Sequence, residues 1–342
     1  MLRVGIIGSR GYTGEVLLEI LHKHPRVKLN YVTARVKRPV ALSKIFPQFK
    51  NRIDLVCDNF EPKLALSSCD LAFLSLPHTA SMAIAPLLSK GTMKIIDLSA
   101  DYRIADYKLY EAWYKLRHSD KENIKRAVYG LPEIYADRIR KADFIANPGC
   151  YASAALLALA PIVKNREVRF DNIIIDAKSG YSGAGRKEKD DPFLSELENN
   201  FKAYKVDSHQ HSPEINQELT KLAKKKIMVI FIPHLLPIER GILETIYVKI
   251  GYSSELTGHR LISLYRKFYK NKPFVRIRKE GEFPQLRDVQ YTNFCDIGLK
   301  LSQDKKTLII ISAIDNLMKG ASGQAVQNMN LMCGFKETEG LL

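Results

Sequence analysis

Apolar runs and helical patterns alternate through the first part of the chain. Residues 2–7 form an apolar run that stops at a glycine, and apolar residues at helical spacing follow at 16–21. The next apolar run, 27–33, arrives after a helix of suitable length, which predicts a strand–helix–strand unit. The alternation continues and predicts a parallel sheet in an N-terminal domain, residues 1–146. Its further predicted elements are the strands 71–76, 93–98 and 144–146 and the helix 81–88.

The pattern changes after residue 146 to longer strands with fewer helices between them. This change predicts an α+β domain with a largely antiparallel sheet. No internal repeat or low-complexity tract is visible. The predicted strands are 172–178, 227–233, 241–250, 297–302 and 307–313, and the predicted helices are 152–163, 214–225 and 255–268.

Composition fits two folded domains in the cytoplasm. The chain has 342 residues, and its five cysteines are an odd number without a CxxC pair. Residues 144–163 carry no charge, but Pro148, Gly149 and Pro161 argue against a membrane span and favour a buried strand, turn and helix. A net charge of +16 suggests an acidic partner or anionic substrates. We see no helix-turn-helix, zinc or RNA-recognition signature, so nucleic acid is not an expected partner.

A glycine-rich loop lies between the first predicted strand and helix. Its glycines are spaced three apart, a looser form of the fingerprint that lets backbone approach a pyrophosphate at a helix N-terminus. The strand–helix–strand context favours dinucleotide binding, and a plain tight turn is the alternative. The predicted cofactor-binding residues here are Gly8, Ser9, Arg10, Gly11, Tyr12, Thr13 and Gly14.

The end of the second strand indicates which dinucleotide binds. NAD sites typically have an acidic residue at this point, whereas residues 33–38 include three cationic residues and no acidic residue. An arginine at this point suits the 2′-phosphate of NADP, so we predict contacts from Ala34, Arg35 and Val36. A solvated basic loop is the alternative. Polar residues also follow two later strands, where open α/β sheets place ligands. These are Ser75 and Pro77, predicted to contact the cofactor, and Arg103, which is either a phosphate ligand or an ordinary surface arginine.

Cys150 follows a Pro-Gly turn and begins a stretch of strong helix formers. Unpaired N–H groups and the positive end of the helix dipole favour a thiolate there, which is the form that attacks a carbonyl. We therefore predict that Cys150 is a nucleophile. A buried structural cysteine is the alternative.

A second cluster of candidate groups, residues 207–214, precedes a predicted helix. It contains His209, His211 and Glu214, and a histidine held by a glutamate can shuttle a proton near neutral pH. Metal binding by His-x-His is disfavoured because no third and fourth ligand stand at a recognisable spacing, so no metal is predicted. Two surface histidines are the other alternative. The glycine-rich loop 179–186 and the charged run 187–191 suit either a lid or an exposed connection.

Five motifs together resemble the N-acetyl-γ-glutamyl-phosphate reductase family. The resemblance spans nearly the whole chain. It implies a Rossmann domain at 1–146 and a C-terminal helix at 316–342 that returns to this domain. Between them, at 147–315, it implies a catalytic and dimerisation domain of the semialdehyde and glyceraldehyde-phosphate dehydrogenase type. It also implies a homo-oligomer, either a dimer or a tetramer. The motifs are Gly8 to Gly14, Asn147 to Tyr151, Ser179 to Arg186, His209 to Glu214 and Asp315 to Ala325.

The resemblance also implies residue roles in an NADPH-dependent reduction of an acyl phosphate through a thioester. Cys150 is the expected nucleophile, and His211, oriented by Glu214, is the expected acid and base. Asn316 is expected to lie against the cofactor. The residues expected to bind substrate are Arg103, Asn147, Ser179, Gly180, Arg186 and His209.

Within the family, the sequence looks most like an archaeal branch that serves lysine and arginine biosynthesis. Its substrates, 2-aminoadipate 6-phosphate and glutamate 5-phosphate, are attached to a small acidic amino-group carrier protein, and the expected product is the semialdehyde. Residues 260–279 hold eight lysines and arginines and no acidic residue, which would attract such a carrier. The alternatives are an arginine-pathway reductase of the N-acetyl compound, an NADP-binding regulatory protein and, for the basic segment alone, heat tolerance.

Overall fold

A computed structural model describes residues 1–165, 170–186, 196–251 and 256–342. The chain forms two compact units, one of Met1–Gly149 with Ala321–Leu342 and the other of Cys150–Gly320. These divisions fall slightly after the predicted boundaries at 146 and 315. The later first division has a physical reason, because the backbone N–H of Asn147 donates to Asp97 of the first unit.

The first unit contains an eight-stranded sheet in the order β3-β4-β2-β1-β5-β6-β8-β7. Its neighbouring strands are parallel except β3 and β4. The predicted parallel α/β domain is therefore confirmed. The strands are β1 Leu2–Ile7, β2 Val27–Thr33, β3 Val40–Ala41, β4 Val56–Asp58, β5 Leu71–Leu74, β6 Lys94–Asp97, β7 Val128–Tyr129 and β8 Phe144–Ala146. The helices are α1 Tyr12–Leu21, α2 Leu42–Ile45, α3 Pro62–Ser68, α4 Ser81–Leu88, α5 Tyr107–Tyr114, α6 Lys121–Arg126 and α7 Pro132–Arg140.

The second unit contains a seven-stranded sheet in the order β10-β11-β9-β12-β15-β14-β13. Four of its neighbouring pairs are antiparallel, and β9–β11 and β13–β14 are parallel, so the predicted, largely antiparallel α+β domain is confirmed. The strands are β9 Phe170–Gly180, β10 Lys202–Ala203, β11 Val229–Leu236, β12 Ile242–Ile250, β13 Val275–Ile277, β14 Cys295–Leu301 and β15 Thr307–Ile314. The helices are α8 Cys150–Lys164, α9 His211–Ala223 and α10 Gly258–Phe268.

Helix α8 is the buried helix that the uncharged stretch predicts. All of its residues from Tyr151 to Val163 are buried. Pro161 lacks the N–H that would bond the carbonyl of Leu157, and the hydroxyl of Tyr269 donates to that carbonyl instead. Among the described residues, no helix is long and apolar enough to cross a membrane.

The C-terminal segment begins with a π-helical turn, Met318–Ser322, and continues as α11, Gly323–Met332. The helix predicted from residue 316 onward is therefore regular only over Gly323–Met332. Within the first unit, the amide of Asn328 donates to the carbonyl of Gly130 (2.8 Å) and to Oδ1 of Asn147 (3.0 Å). These bonds hold α11 to the turn that leads towards α8.

Candidate active site

Two glycines of the loop between β1 and α1 allow close packing of backbone. Gly8 has a φ of +91°, and a Cβ there would lie 2.4 Å from the carbonyl oxygen of Ser75. A Cβ on Gly14 would lie 2.4 Å from the carbonyl oxygen of Ser9. Gly11 differs, because no atom of the part of the chain that the structure describes lies within 4 Å of a Cβ built there. The loop is thus packed on one side and open at Gly11, immediately before α1.

The open side of this loop fits a pyrophosphate. Helix α1 begins at Tyr12 after an extended Gly11, and within the described residues no side chain caps it by a hydrogen bond. Its first N–H groups and the positive end of its dipole suit a phosphate group. The side chain of Ser9 is fully buried and donates to the carbonyl of Thr33 (3.1 Å), so this predicted cofactor residue holds the loop and leaves its backbone for binding.

The end of β2 presents an exposed arginine. Ala34 is buried, and Arg35 follows it in the exposed loop. The side chain of Asn59 holds this loop, because it donates to the carbonyl of Val36 (2.8 Å) and accepts from its N–H (3.3 Å). Sequence reasoning missed Asn59, which comes from the segment after β4. The guanidinium group of Arg35 is consequently displayed from a fixed backbone.

Ser75 and Arg103 lie beyond the ends of neighbouring strands, β5 and β6. The hydroxyl of Ser75 is 2.6 Å from the hydroxyl of Thr13, so it links the glycine loop to β5. Arg103 is buried, and its guanidinium group donates to the carbonyls of Leu98 and Asn147, both at 2.7 Å. These two bonds hold the turn that precedes Cys150. The phosphate-binding role of Arg103 stays a prediction.

Asn147 is fully buried in the first unit. Its amide nitrogen donates to the carbonyl of Ala321 (3.1 Å), and its amide oxygen accepts from Asn328. This side chain therefore joins the turn before α8 to the C-terminal segment. The predicted contact of Asn147 with substrate stays a prediction.

Buried carboxyl groups fix the loop after β6, a feature that sequence reasoning missed. Burial, together with the nearby charge of Asp101, raises the pKa of Asp97 to about 7. Asp97 accepts from the hydroxyl of Ser99 (2.7 Å). Asp101 accepts from the N–H groups of Thr79 (2.7 Å) and Met82 (3.1 Å). Asp101 thus joins the loop after β6 to the segment that follows β5.

Cys150 is the first residue of α8 and is half-buried. The hydroxyl of the next residue, Tyr151, donates to the carbonyl of His234 (3.2 Å) and is 3.3 Å from the hydroxyl of Tyr204. Burial raises the pKa of Tyr204 to about 12, and the charge of Cys150 adds to the shift. Tyr204 therefore contacts the residue that follows Cys150. The sequence placed Cys150 at a helix N-terminus but gave no sign of Tyr204.

Gly320 packs directly against Cys150. A Cβ on Gly320 would lie 2.8 Å from the Cβ and 3.2 Å from the Cα of Cys150. The N–H of Gly320 donates to the carbonyl of Asp315 (2.9 Å), and the buried Asp315 carboxylate accepts from the N–H groups of Leu317 and Met318. This residue was missed as a site residue. The available signal was a glycine inside a predicted helix.

His209 and His211 lie beside the first turn of α8, but their surroundings differ. The ring of Tyr151 is 5.6 Å from that of His209 and 5.7 Å from that of His211. His209 is buried, its Nδ1 accepts from the N–H of His211 (3.1 Å), and its Nε2 is 3.4 Å from the hydroxyl of Tyr204. His211 begins α9 and is half-buried. His209 thus positions the start of α9, and His211 is the more accessible histidine.

Glu214 is buried in the first turn of α9. It follows His211 by three residues, and this spacing puts both side chains on one face of the helix. Its predicted role in orienting His211 stays a prediction.

The predicted loop at 179–186 is ordered at its start, where a short 3₁₀ helix spans Tyr181–Ala184. The hydroxyl of Ser182 donates to the carbonyl of Glu239 (2.6 Å) and accepts from the amide of Asn316 (2.8 Å). The N–H of Gly241 donates to the amide oxygen of Asn316 (2.7 Å). These contacts use both ends of the Asn316 side chain within the second unit, and its predicted cofactor contact stays a prediction.

Three further predicted substrate residues also belong to this loop. Ser179 is buried and donates to the carbonyl of Gly180 (2.9 Å), and a Cβ on Gly180 would lie 2.6 Å from the carbonyl oxygen of Glu239. Arg186 is exposed. The predicted lid residues 187–191 lie outside the described residues.

Comparison with known proteins identifies the class of enzyme. Residues 3–142 match the model of the semialdehyde dehydrogenase NAD binding domain, and residues 150–316 match that of the semialdehyde dehydrogenase dimerisation domain. The fold is similar to that of aspartate semialdehyde dehydrogenase II from Vibrio cholerae, with a TM-score of 0.72 at 19% identity over 98% of each chain. It is also similar to aspartate semialdehyde dehydrogenase with NADP from Candida albicans, with a TM-score of 0.71 at 13% identity over 97% of this chain and 98% of that one. The chain is an oxidoreductase of the semialdehyde dehydrogenase class.

Relatives in sequence define the family within this class. The N-acetyl-γ-glutamyl-phosphate reductase of Geotalea daltonii is 47% identical over 342 residues, 100% of this chain and 98% of the relative. That of Symbiobacterium thermophilum is 45% identical over 100% of this chain and 97% of the relative. The chain belongs to the N-acetyl-γ-glutamyl-phosphate reductase family, as the motifs predict. The relatives support the family but do not specifically support the archaeal carrier-protein-dependent branch that the sequence analysis puts first.

Proposed function

We propose that the protein reduces N-acetyl-γ-glutamyl phosphate with NADPH, giving the semialdehyde and free phosphate in arginine biosynthesis. The observation that carries this proposal is the position of Cys150 at the N-terminus of α8, whose next residue, Tyr151, has its ring 5.7 Å from that of His211. The chain is also related over its full length to reductases of that name. The arrangement suits acyl transfer to a thiol followed by reduction.

Cys150 begins the proposed reaction. Its thiolate attacks the acyl carbon, the bond from that carbon to the phosphate oxygen breaks, and phosphate leaves with its electron pair. A thioester on Cys150 remains. The first N–H groups of α8 point towards this position and suit the negative charge that develops on the acyl oxygen.

His211 supplies the proton transfers. It takes the proton of the Cys150 thiol before attack, and it later protonates the oxygen of the thiohemiacetal that reduction leaves. As that species collapses, the proton returns to His211, the C–S bond breaks with its electron pair on the sulfur, and the aldehyde leaves. Support for His211 over His209 comes from burial, since His209 is buried and His211 is only half-buried.

The glycine loop would hold the cofactor pyrophosphate at the open side of Gly11, and bound NADPH would supply the hydride. Arg35 would hold the 2′-phosphate, because it is exposed on a backbone that Asn59 fixes. Arg186 and Arg103 are proposed to bind the anionic groups of the substrate.

A homo-oligomer is proposed from the uncovered face of the second sheet. Ile230, Ile174 and Tyr247 stand in register across β11, β9 and β12. Ile230 is 48% exposed and Tyr247 is 38% exposed, although they belong to one apolar row. A second copy of the chain would cover this row, which agrees with the match to a dimerisation domain.

A carrier-bound acyl phosphate is the second candidate substrate, because residues 260–279 are strongly basic. Two of the eight cations are already paired, since Arg276 forms an ion pair with Asp296 (2.5 Å) and Arg278 with Asp288 (2.5 Å). Five others remain exposed and could attract an acidic protein. They are Arg260, Arg266, Lys267, Lys270 and Lys279.

The two candidates are separated by comparing kcat/KM for N-acetyl-γ-glutamyl phosphate with that for carrier-bound aminoadipyl and glutamyl phosphates. NADPH oxidation is followed at several salt concentrations, because screening weakens attraction between proteins more than binding of a small ligand. We expect the N-acetyl compound to be preferred at every salt concentration. A preference for either carrier-bound substrate at low salt that declines with added salt would overturn the proposal.

A further inference from the structure

Glu244 is a fully buried carboxyl group in the second unit. It lies on β12, on the face that also carries the buried side chains of Ile242 and Ile246. Its partners in register on the neighbouring strands are small, Ala177 on β9 and Ser312 on β15. Within the described residues, neither carboxyl oxygen has a hydrogen-bond partner. A buried polar group without a partner is uncommon and calls for a physical explanation.

The register of the sheet places Glu244 beneath the first turn of α8. Ile242 pairs with Ile314, whose Cδ1 lies 3.3 Å from the position of a Cβ on Gly320, the residue that packs against Cys150. The next row on the same face is Glu244 with Ser312, and the hydroxyl of Ser312 donates to the carbonyl of Ala154 (3.2 Å). The row of Ile242 and Ile314 therefore lies near the N-terminal end of the first turn of α8, and the row of Glu244 and Ser312 lies near its C-terminal end.

The separation between Glu244 and the thiol follows from this geometry. Four residues of helix span about 6 Å, and two residues of strand span roughly 6.6 Å. From these helix and strand spans we estimate that the carboxyl group lies on the order of 10 Å from the sulfur of Cys150. At an effective dielectric constant of about 20, two charges at that distance change an ionisation equilibrium about tenfold.

The surroundings of Glu244 favour the uncharged acid. Burial raises its pKa well above the ordinary range, and the charge of Lys178 on β9 opposes this shift. Lys178 is already paired with Asp176 (2.5 Å). From the neighbouring strands, β15 contributes uncharged Ser312, whose hydroxyl is 3.6 Å from the Cys295 thiol of β14. The ionisable side chains in the first turn of α8 are those of Cys150 and Tyr151.

We propose that Glu244 is a positioning residue for the nucleophile, coupled to Cys150 through the first turn of α8, so that a charge on either group opposes a charge on the other. The uncharged carboxyl leaves the positive end of α8 to the thiolate. An ionised carboxyl would offset that end and return Cys150 towards the thiol. The inference rests on the proposed nucleophilic role of Cys150, and its test needs neither substrate nor cofactor.

The coupling is tested by alkylating Cys150 with iodoacetamide across pH 5–10 in the full chain. Glu244→Gln cannot ionise, so its alkylation profile should lack one titration that the wild-type profile contains, and the wild-type rate should rise over a wider pH range. At the pH of greatest divergence, the wild-type rate should be lower by about tenfold. Glu244→Leu is a second variant that cannot ionise and suits apolar surroundings if the glutamine variant folds poorly. Superimposable wild-type and variant profiles would overturn the coupling.

The charge state of Glu244 has a separate readout in the free energy of unfolding. An acid with a raised pKa keeps its proton in the folded state and loses it in the unfolded state, so wild-type stability should fall as pH rises above about 4.3. Glu244→Gln should lose less stability over that range. A stability difference between wild type and Glu244→Gln that does not change with pH would overturn the claim that Glu244 is uncharged in the folded state.

The matched control is Glu218→Gln, since Glu218 is buried but paired with Lys221 (2.6 Å), and it should leave the alkylation profile unchanged.

The alkylation profile and the turnover of the alkylated enzyme together distinguish failure of this inference from failure of the proposed function. If Cys150 is the nucleophile but is not coupled to Glu244, alkylation of Cys150 still abolishes turnover while the two profiles coincide. If Cys150 is not the nucleophile, its alkylation leaves turnover intact.

Discussion

Gly320→Ala tests whether close packing sets the position of the nucleophile. The added Cβ would lie 2.8 Å from the Cβ and 3.2 Å from the Cα of Cys150, whereas carbon atoms prefer about 3.5–4.0 Å. It would also meet Cδ1 of Ile314 at 3.3 Å, an end of a side chain that can move. Because the Cα and Cβ of Cys150 belong to the start of α8, relief of the overlap must move the nucleophile itself by several tenths of an ångström.

The expected loss is large in turnover and moderate in stability. Overpacking of this kind destabilises a fold by about 1–3 kcal/mol. A displacement of about 1 Å at a reacting atom lowers a rate by roughly 10²-fold, so we expect kcat to fall between tenfold and that limit. The affinity for NADPH should stay within about twofold, because the glycine loop lies in the other compact unit.

The assay is NADPH oxidation with saturating acyl phosphate, with NADPH binding measured separately by fluorescence. Gly298→Ala is the matched control, since its Cβ would lie 2.9 Å from the carbonyl oxygen of Glu282 on a different strand edge. It should lower stability by a comparable amount and leave kcat close to the wild-type value. A Gly320→Ala enzyme with wild-type kcat, or a Gly298→Ala enzyme that loses as much turnover, would refute the reasoning.

Three further predictions concern single groups. His211→Asn should lower kcat by roughly 10²-fold or more, and a larger loss in His209→Asn would mean that the two roles are reversed. Arg35→Ala should raise the KM for NADPH much more than that for NADH, and equal effects on the two cofactors would count against a 2′-phosphate contact. Asp97 has a pKa raised to about 7, so wild-type stability should fall as pH rises from about 4 to 7. Urea unfolding should show a weaker fall for Asp97→Asn, and an unchanged pH dependence would contradict a protonated Asp97.

Much of the fold could be predicted from local sequence patterns. The apolar run of β1, the glycine loop and the helical spacing of α1 are short-range features, and a strand–helix–strand unit follows from them without any distant contact. The uncharged stretch around Cys150 likewise predicts a buried helix because Pro148 and Gly149 interrupt it at a definite place.

Contacts between distant segments could not be predicted in this way. In the sequence, Gly320 is only a residue of low helix propensity within a predicted helix. Its contact with Cys150 depends on how β15 and α8 pack. Asn147 lies in a motif next to the nucleophile, yet its amide is used by Asn328 in the C-terminal helix. Glu244 resembles any polar residue in an alternating strand until the sheet register puts it on the buried face.

Boundaries and charge counts also needed the structure. The C-terminal helix predicted from residue 316 contains a π-helical turn at Met318–Ser322, which hydrophobic spacing does not reveal. The basic segment 260–279 counts eight cations in sequence, but Arg276 and Arg278 are paired with carboxylates that lie later in the chain.

The most direct test of the account is a single-turnover acylation of the enzyme without NADPH. Mixed with N-acetyl-γ-glutamyl phosphate, the wild-type enzyme should release about one phosphate per active site in a burst, and mass spectrometry should find the acyl group on the peptide that contains Cys150. Addition of NADPH should then release the aldehyde and restore the free thiol. Cys150→Ser should fold and bind NADPH but show no burst. A burst of the same size in Cys150→Ser, or an acyl group found on another residue, would contradict the central claim that Cys150 forms the thioester.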